Sequence, residues 1–126
     1  YTLEEITQKN YGKGGVVSYL HTNDAREILK RIEQKDAYAK LIFDAMIYQL
    51  AKEIGGCATV FKGNVDYIVL TGGLAYSDYL VKEVKERVTF IAPLLVYPGE
   101  NEMLALAQGV LRVLKKEEVV REFIAD

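Results

Sequence analysis

The chain has 126 residues, half of them hydrophobic, and 16 lysines and arginines against 18 aspartates and glutamates give a net charge of −2. That length suits one domain with a real core, and mixed charges with no basic cluster give no electrostatic footprint for nucleic acid or an anionic membrane surface. The most apolar long segment, 37–61, carries Lys40, Asp44, Lys52 and Glu53, which argues against a membrane span, and a single cysteine, Cys57, excludes an internal disulfide or a cysteine metal cage.

In chain order, Thr2 opens a short helix with Glu4 and Glu5 in its first turn, where the helix dipole favours acid. Gly12, Gly14 and Gly15 end it in a flexible turn. Residues 16–20 have strand composition. Thr22, Asn23 and Asp24 are plausible N-caps for a helix to Ile32, with Ile28, Leu29 and Ile32 as its buried stripe. Asp36 caps a long helix that Gly63-Asn64 stops near Lys62. One of its faces carries Leu41, Ala45, Tyr48, Ala51 and Ile54, and a second carries Ile42, Met46, Leu50 and Cys57. A helix apolar on most sides is expected to lie between layers, with Cys57 in the core and Gly55-Gly56 giving a kink or a close backbone approach. Residues 67–70 read as a buried strand. Ser77 is a good N-cap for a helix over 78–88, with Leu80, Val84 and Val88 on one face. Residues 94–97 form a second apolar strand, and Pro98-Gly99 turns the chain. Glu100, Asn101 and Glu102 lead a helix with Met103, Leu104, Ala107, Val110, Leu111 and Leu114 inside, and 117–124 form a further short helix. This order implies a parallel strand pair linked by a right-handed crossover. No secretory signal is visible, so the expected location is the cytoplasm. Because the chain starts at Tyr1 and not at Met, it is read as trimmed or as a piece of something longer.

Chemistry concentrates in three places, each after an expected strand and at a helix start: Asp24 with Arg26, the Gly72-Gly73 turn, and Glu100-Asn101-Glu102. In parallel α/β sheets ligands sit beyond the carboxyl ends of the strands, so the three loops are expected to converge on one ligand. Two adjacent glycines before a helix N-terminus leave N–H groups free and no Cβ in a ligand's way, which suits a nucleotide. Each feature also has a plain structural reading: a tight turn that needs small residues, a cap with its ion pair, and acids answering a helix dipole. His21 is the only histidine, and no Ser-His-Asp or Cys-His set can be assembled.

The run His21-Thr22-Asn23-Asp24-Ala25-Arg26-Glu27 resembles, with one change, the Gly-Thr-Asn-Asp-Ala-Arg-Glu of butyrate kinases. Asp66 to Ser77 is similar to their Asp-x-Ile-Val-Leu-Thr-Gly-Gly-Leu-Ala-Tyr-Ser. Phe90-Ile91-Ala92-Pro93 followed by Val96-Tyr97-Pro98-Gly99-Glu100-Asn101-Glu102-Met103-Leu104-Ala105-Leu106-Ala107 is similar again. The match runs in register over nearly the whole chain and reaches a chain end, so the resemblance is to the C-terminal portion of such an enzyme. Butyrate kinases belong with acetate kinases.

The resemblance implies an α/β, ribonuclease-H-like domain of the actin/Hsp70/sugar-kinase type, the C-terminal nucleotide-binding half. Residues 1–126 would be one domain of a two-domain kinase, and 112–126 a terminal helical segment packing on the N-terminal domain absent from this chain. The implied nucleotide contacts are Asp24, Ala25 and Arg26 on the ribose side and Gly72, Gly73 and Leu74 against adenosine. Ser77 stands where acetate kinases carry an Asn to the adenine, and Ala75 where they carry a glycine; both agree with the butyrate-kinase pattern. Asn101-Glu102-Met103-Leu104 matches a motif whose Glu helps hold Mg²⁺, which points to Glu102. His21 replaces the usual Gly. The implied reaction is reversible transfer of the ATP γ-phosphate to butyrate, giving butanoyl phosphate and ADP. The implied cofactors are ATP/ADP and Mg²⁺, with a homo-oligomer as the full-length enzyme. The residues that handle the acyl substrate belong to the other domain, so no catalytic residue is expected here and the chain alone is expected to be inactive. Acetate or a branched short-chain acid are alternative substrates. The alternative of another class is a non-catalytic nucleotide- or partner-binding module with an actin-like fold.

Overall fold

The computed structural model describes residues 1–99 and 101–120. Thr2 and Glu5 close a reciprocal capping box at the start of α1, Leu3–Gln8: the Thr2 hydroxyl accepts from the Glu5 N–H and the Glu5 carboxylate from the Thr2 N–H. A wide helical turn over Lys9–Lys13 breaks at Gly12, whose φ of 140° only glycine adopts readily. Residues 16–20, expected as a strand, are instead the short helix α2, Val16–Leu20. Valines fit a strand only where a neighbouring strand takes their backbone bonds, and among the described residues none lies here; a helical turn satisfies those groups internally and seats Leu20 against the long helix.

The caps lie at the positions the sequence offered. The Asp24 carboxylate accepts from the Arg26 N–H at the start of α3, Ala25–Glu33, which buries Ile28. Asp36 accepts from the Ala39 N–H at the start of α4, Ala37–Val60. Arg31 binds Asp36 at 2.9 Å and donates to the Leu20 carbonyl, tying α2 to the α3–α4 corner. At ~1.5 Å per residue, the 24 residues of α4 span about 36 Å. Lys62 and Gly63, both with positive φ, end it, and the Gly63 N–H closes back on the Ala58 carbonyl.

The buried side of α4 centres between the two expected faces and takes in residues of both, since Ala51 and Ile54 of the first and Ile42, Met46 and Leu50 of the second pack against the core. Ala39, Phe43 and Ile47 are buried, flanked by Ile42, Met46 and Leu50, while Leu41 and Tyr48 are exposed. Cys57 is exposed and not in the core. The helix is unbroken at Gly55-Gly56, and a Cβ at either would meet nothing within 4 Å, so among the described residues no neighbour approaches these glycines closely. No described helix is long and apolar enough to cross a membrane.

β1, Ile68–Gly72, and β2, Leu94–Pro98, run parallel in the register Ile68 to Leu94 through Gly72 to Pro98. They are joined through α5, Asp78–Val88, whose Leu80, Val84 and Val88 are all fully buried, as their spacing predicts. These three pack with Phe43, Ile47, Ile28 and Leu20 into one core, and Ile68, Leu70 and Leu94 face it from the sheet. The opposite face of β1, with Val69 and Thr71, is exposed.

α6, Glu102–Leu114, begins at Asn101 without a side-chain cap bond. Its apolar residues, expected inside, are all outside: Met103 is 80% and Leu114 72% exposed, and none of the helix is buried. The expected helix over 117–124 is not formed in its described part, 117–120, which is turn and coil. Residues 121–126 and Glu100 lie outside the described residues, so the expected terminal segment 112–126 is described only to 120.

Candidate functional site

Two of the three expected loops meet. Asn23, Asp24, Ala25, Arg26, Gly73 and Leu74 line an open cleft of about 630 Å³. The α3 start contributes its first wall. Asp24 both caps α3 and holds Arg26 in a two-pronged pair, Nε to Oδ1 at 3.0 Å and Nη2 to Oδ2 at 2.8 Å. Bonds from the Arg26 side chain and backbone N–H hold the Asp24 carboxyl down at about 2, so it stays ionised at neutral pH. Arg26 is 91% exposed, and its guanidinium is an exposed cation fixed at the rim.

The glycine turn is the second wall. Gly72 has a φ of 85°, which strains any side-chain-bearing residue. Gly73–Tyr76 then makes a single tight turn leading into α5. A Cβ built on Gly72 or Gly73 meets nothing within 4 Å, so the turn needs neither glycine for internal packing at those points, and Gly73 opens onto the cleft. Ser77 is 8% exposed; its hydroxyl accepts from the Leu80 N–H at 3.1 Å and caps α5. It is not among the residues lining the cleft.

The third loop stands apart. Glu102 is exposed at the start of α6 and lines a different, apolar cleft with Ala105, Leu106 and Val110. Among the described residues no three His, Cys, Asp or Glu side chains group to hold a metal ion. A magnesium–nucleotide complex ordinarily takes one or two carboxylates from protein and its other ligands from phosphate and water. Glu102 therefore fits the part of a single ligand and not of a cage.

The loops are nonetheless bonded to each other at their roots. Gly72 and Gly99 exchange backbone hydrogen bonds, Gly99 N–H to the Gly72 carbonyl at 3.1 Å and Gly72 N–H to the Gly99 carbonyl at 3.3 Å. Gly99 has a φ of 97°, and a Cβ there would meet the Tyr76 hydroxyl at 2.6 Å. Tyr76 thus covers the glycine that starts the turn toward α6.

A polar cluster between α4 and α5 was missed in the sequence. The Tyr79 hydroxyl donates to Asp44, and Lys40 bonds both, at 2.8 Å to Tyr79. Burial pushes Asp44 up, but the bonds from Lys40 and Tyr79 outweigh it and hold the carboxyl below its ordinary value. Burial and Asp44 push Tyr79 up, and the bonds to Asp44 and Tyr79 raise Lys40. The available signal was the Lys40–Asp44 spacing of four on a helix that is otherwise apolar.

These elements form a parallel α/β unit with a glycine turn at the carboxyl end of one strand, facing an Asp-x-Arg helix start, and this chain belongs to the Acetokinase family, whose family model matches residues 1–104. Two curated relatives carry butyrate kinase in their names. Over 118 residues the chain is 58% identical to "Probable butyrate kinase 2" of Caldanaerobacter subterraneus subsp. tengcongensis, covering 94% of this chain and 33% of that protein. Over 123 residues it is 51% identical to "Butyrate kinase 1" of Clostridium acetobutylicum, covering 98% of this chain and 35% of that protein. It spans about a third of the length of these relatives.

Proposed function

We propose that this chain is the nucleotide-binding part of a two-domain butyrate kinase, which moves the ATP γ-phosphate reversibly to the carboxylate of butyrate. The observation that carries this reading is the shared cleft between the Asp24–Arg26 helix start and the Gly73–Leu74 turn, in a chain more than half identical to proteins named butyrate kinases. Asp24 fixes Arg26, and Arg26 offers a preset cation to the ribose and phosphate side of a nucleotide. Ala25 keeps that wall low, and Gly72, Gly73 and Leu74 let adenosine lie against the backbone. Glu102 would be the single carboxylate of a Mg²⁺–nucleotide complex; that ion neutralises phosphate charge when bound. Ser77 acts through the turn, by fixing the helix that follows it.

In this reading the fold is the ribonuclease-H-like, C-terminal half of an actin/Hsp70/sugar-kinase architecture, working in the cytoplasm in a homo-oligomer. Phosphoryl transfer gains most from aligning donor and acceptor in a closed site. One wall holds part of the nucleotide but cannot align a carboxylate with it. The test is a hydroxamate assay for acyl phosphate on the full-length protein, with butyrate, acetate and branched short-chain acids in parallel, beside calorimetric titration of ADP into the 126-residue chain. The expected result is butanoyl phosphate from the full-length protein, and weak ADP binding without acyl phosphate from the chain alone. A full-length protein that turns over none of these acids would leave the binding-module reading. Acyl phosphate from the chain alone would overturn the two-wall argument.

A further inference from the structure

We propose that Asn23 reads the ribose hydroxyls of the nucleotide, a specificity role that its neighbour Asp24 is too fully engaged to fill. This rests on the nucleotide reading of the cleft. Asn23 is exposed and lines that cleft with Asp24, Arg26, Gly73 and Leu74. The volume of about 630 Å³ is ordinary for a site that holds a small ligand.

The polar groups of this wall divide by what they already bind. The Thr22 hydroxyl accepts from the Asp24 N–H at 3.2 Å. Asp24 Oδ1 accepts from the backbone N–H and from Nε of Arg26, and Oδ2 accepts from Nη2. Those bonds fill all but one of the carboxylate's roughly four lone-pair positions, so a sugar diol could bind Asp24 only by loosening Arg26. Arg26 is a cation and a donor only, which suits phosphate oxygens. Among the described residues the Asn23 amide takes part in no bond of this kind. It carries an acceptor oxygen and a donor nitrogen on one planar group. Two neighbouring hydroxyls, each able to give and to take, match that group: one donates to Oδ1 and the other accepts from Nδ2. Across the cleft Leu74 offers an apolar side chain, which suits the face of a base and does nothing for a hydroxyl. The hydroxyls therefore fall to Asn23.

The test is calorimetric titration of the full-length protein, unsubstituted and as Asn23→Ala, with ADP and with 2′,3′-dideoxy-ADP, which lacks only the two hydroxyls. The unsubstituted protein should prefer ADP on the order of tenfold. Asn23→Ala should weaken ADP by about the same factor and remove the preference. Its affinity for the dideoxy nucleotide should stay within about twofold, and its thermal midpoint should not move. A general loosening of the cleft would weaken both nucleotides together, so the ratio isolates the contact. A preference for ADP that survives in Asn23→Ala would overturn the inference, and so would an unsubstituted protein that binds both nucleotides equally. An unsubstituted protein that binds neither would overturn the nucleotide reading with it, which keeps the two failures distinct.

Discussion

Ser77→Ala separates a structural hydroxyl from a ligand contact. The Ser77 oxygen takes the Leu80 N–H at 3.1 Å, and Leu80 is fully buried. Removing an N-cap oxygen costs about 0.5–2 kcal/mol. Here the orphaned N–H lies in a dry core, where an unmet donor costs about 1–3 kcal/mol. The two ranges overlap at about 1–2 kcal/mol, the destabilisation expected for the full-length protein in urea unfolding. ADP affinity, measured by calorimetry on the same material below the transition, should stay within about twofold, because the hydroxyl does not line the cleft. Ser77→Asn, which keeps a capping oxygen, should restore most of the stability. Unchanged unfolding together with ADP binding weakened about tenfold or more would refute the reasoning and make Ser77 a purine contact.

The other predictions concern the two walls and the acid on α6. Gly73→Val places a side chain where nothing stands within 4 Å, so the thermal midpoint should hold while the KM for ATP rises on the order of tenfold, about 1.4 kcal/mol; a collapsed midpoint with unchanged KM would make the glycine structural. Glu102→Gln should raise the Mg²⁺ concentration for half-maximal activity on the order of tenfold without moving the midpoint; no change in a Mg²⁺ titration would leave Glu102 a helix-dipole acid. The Asp24 carboxyl should titrate at about 2 by carbon-detected NMR, and Arg26→Gln should raise that value toward the ordinary 3.8. Since the folded value is the depressed one, the stabilisation from this pair is present above the ordinary carboxylate range and is lost as pH falls through 2. A midpoint near 3.8 in the unsubstituted protein would mean that the pair does not persist in solution.

Where one residue's chemistry sets local geometry, the sequence was enough to read it. Asp24, Asp36 and Ser77 cap the helices they precede, and Leu80, Val84 and Val88 repeat every four residues and are buried. Where geometry depends on a neighbour, it was not. Valines at 16 and 17 become helical for want of an adjacent strand. In α4 several faces are apolar, and the positions of α2, α3 and α5 select Phe43 and Ile47 over Cys57. The α6 residues have the pattern of a buried helix, but burial belongs to whatever covers a helix, and nothing among the described residues does. The candidate site follows the same division. The Asp24–Arg26 start and the Gly73 turn share a cleft because α3 and α5 pack on the same long helix. Glu102 is set by a helix with no such anchor.

The Gly72–Gly99 exchange gives this domain a mechanical property. Two parallel strands normally part company at their ends, each loop free to move by itself. Here both loops leave from a single stitched knot, with the Tyr76 ring lying over it like a clasp. For the turn at Gly73 to shift without carrying the root of α6, two hydrogen bonds must open, at about 0.5–1.5 kcal/mol each. That toll is small enough for a bound nucleotide to meet and large enough that thermal jostling mostly moves the two loops as one tongue.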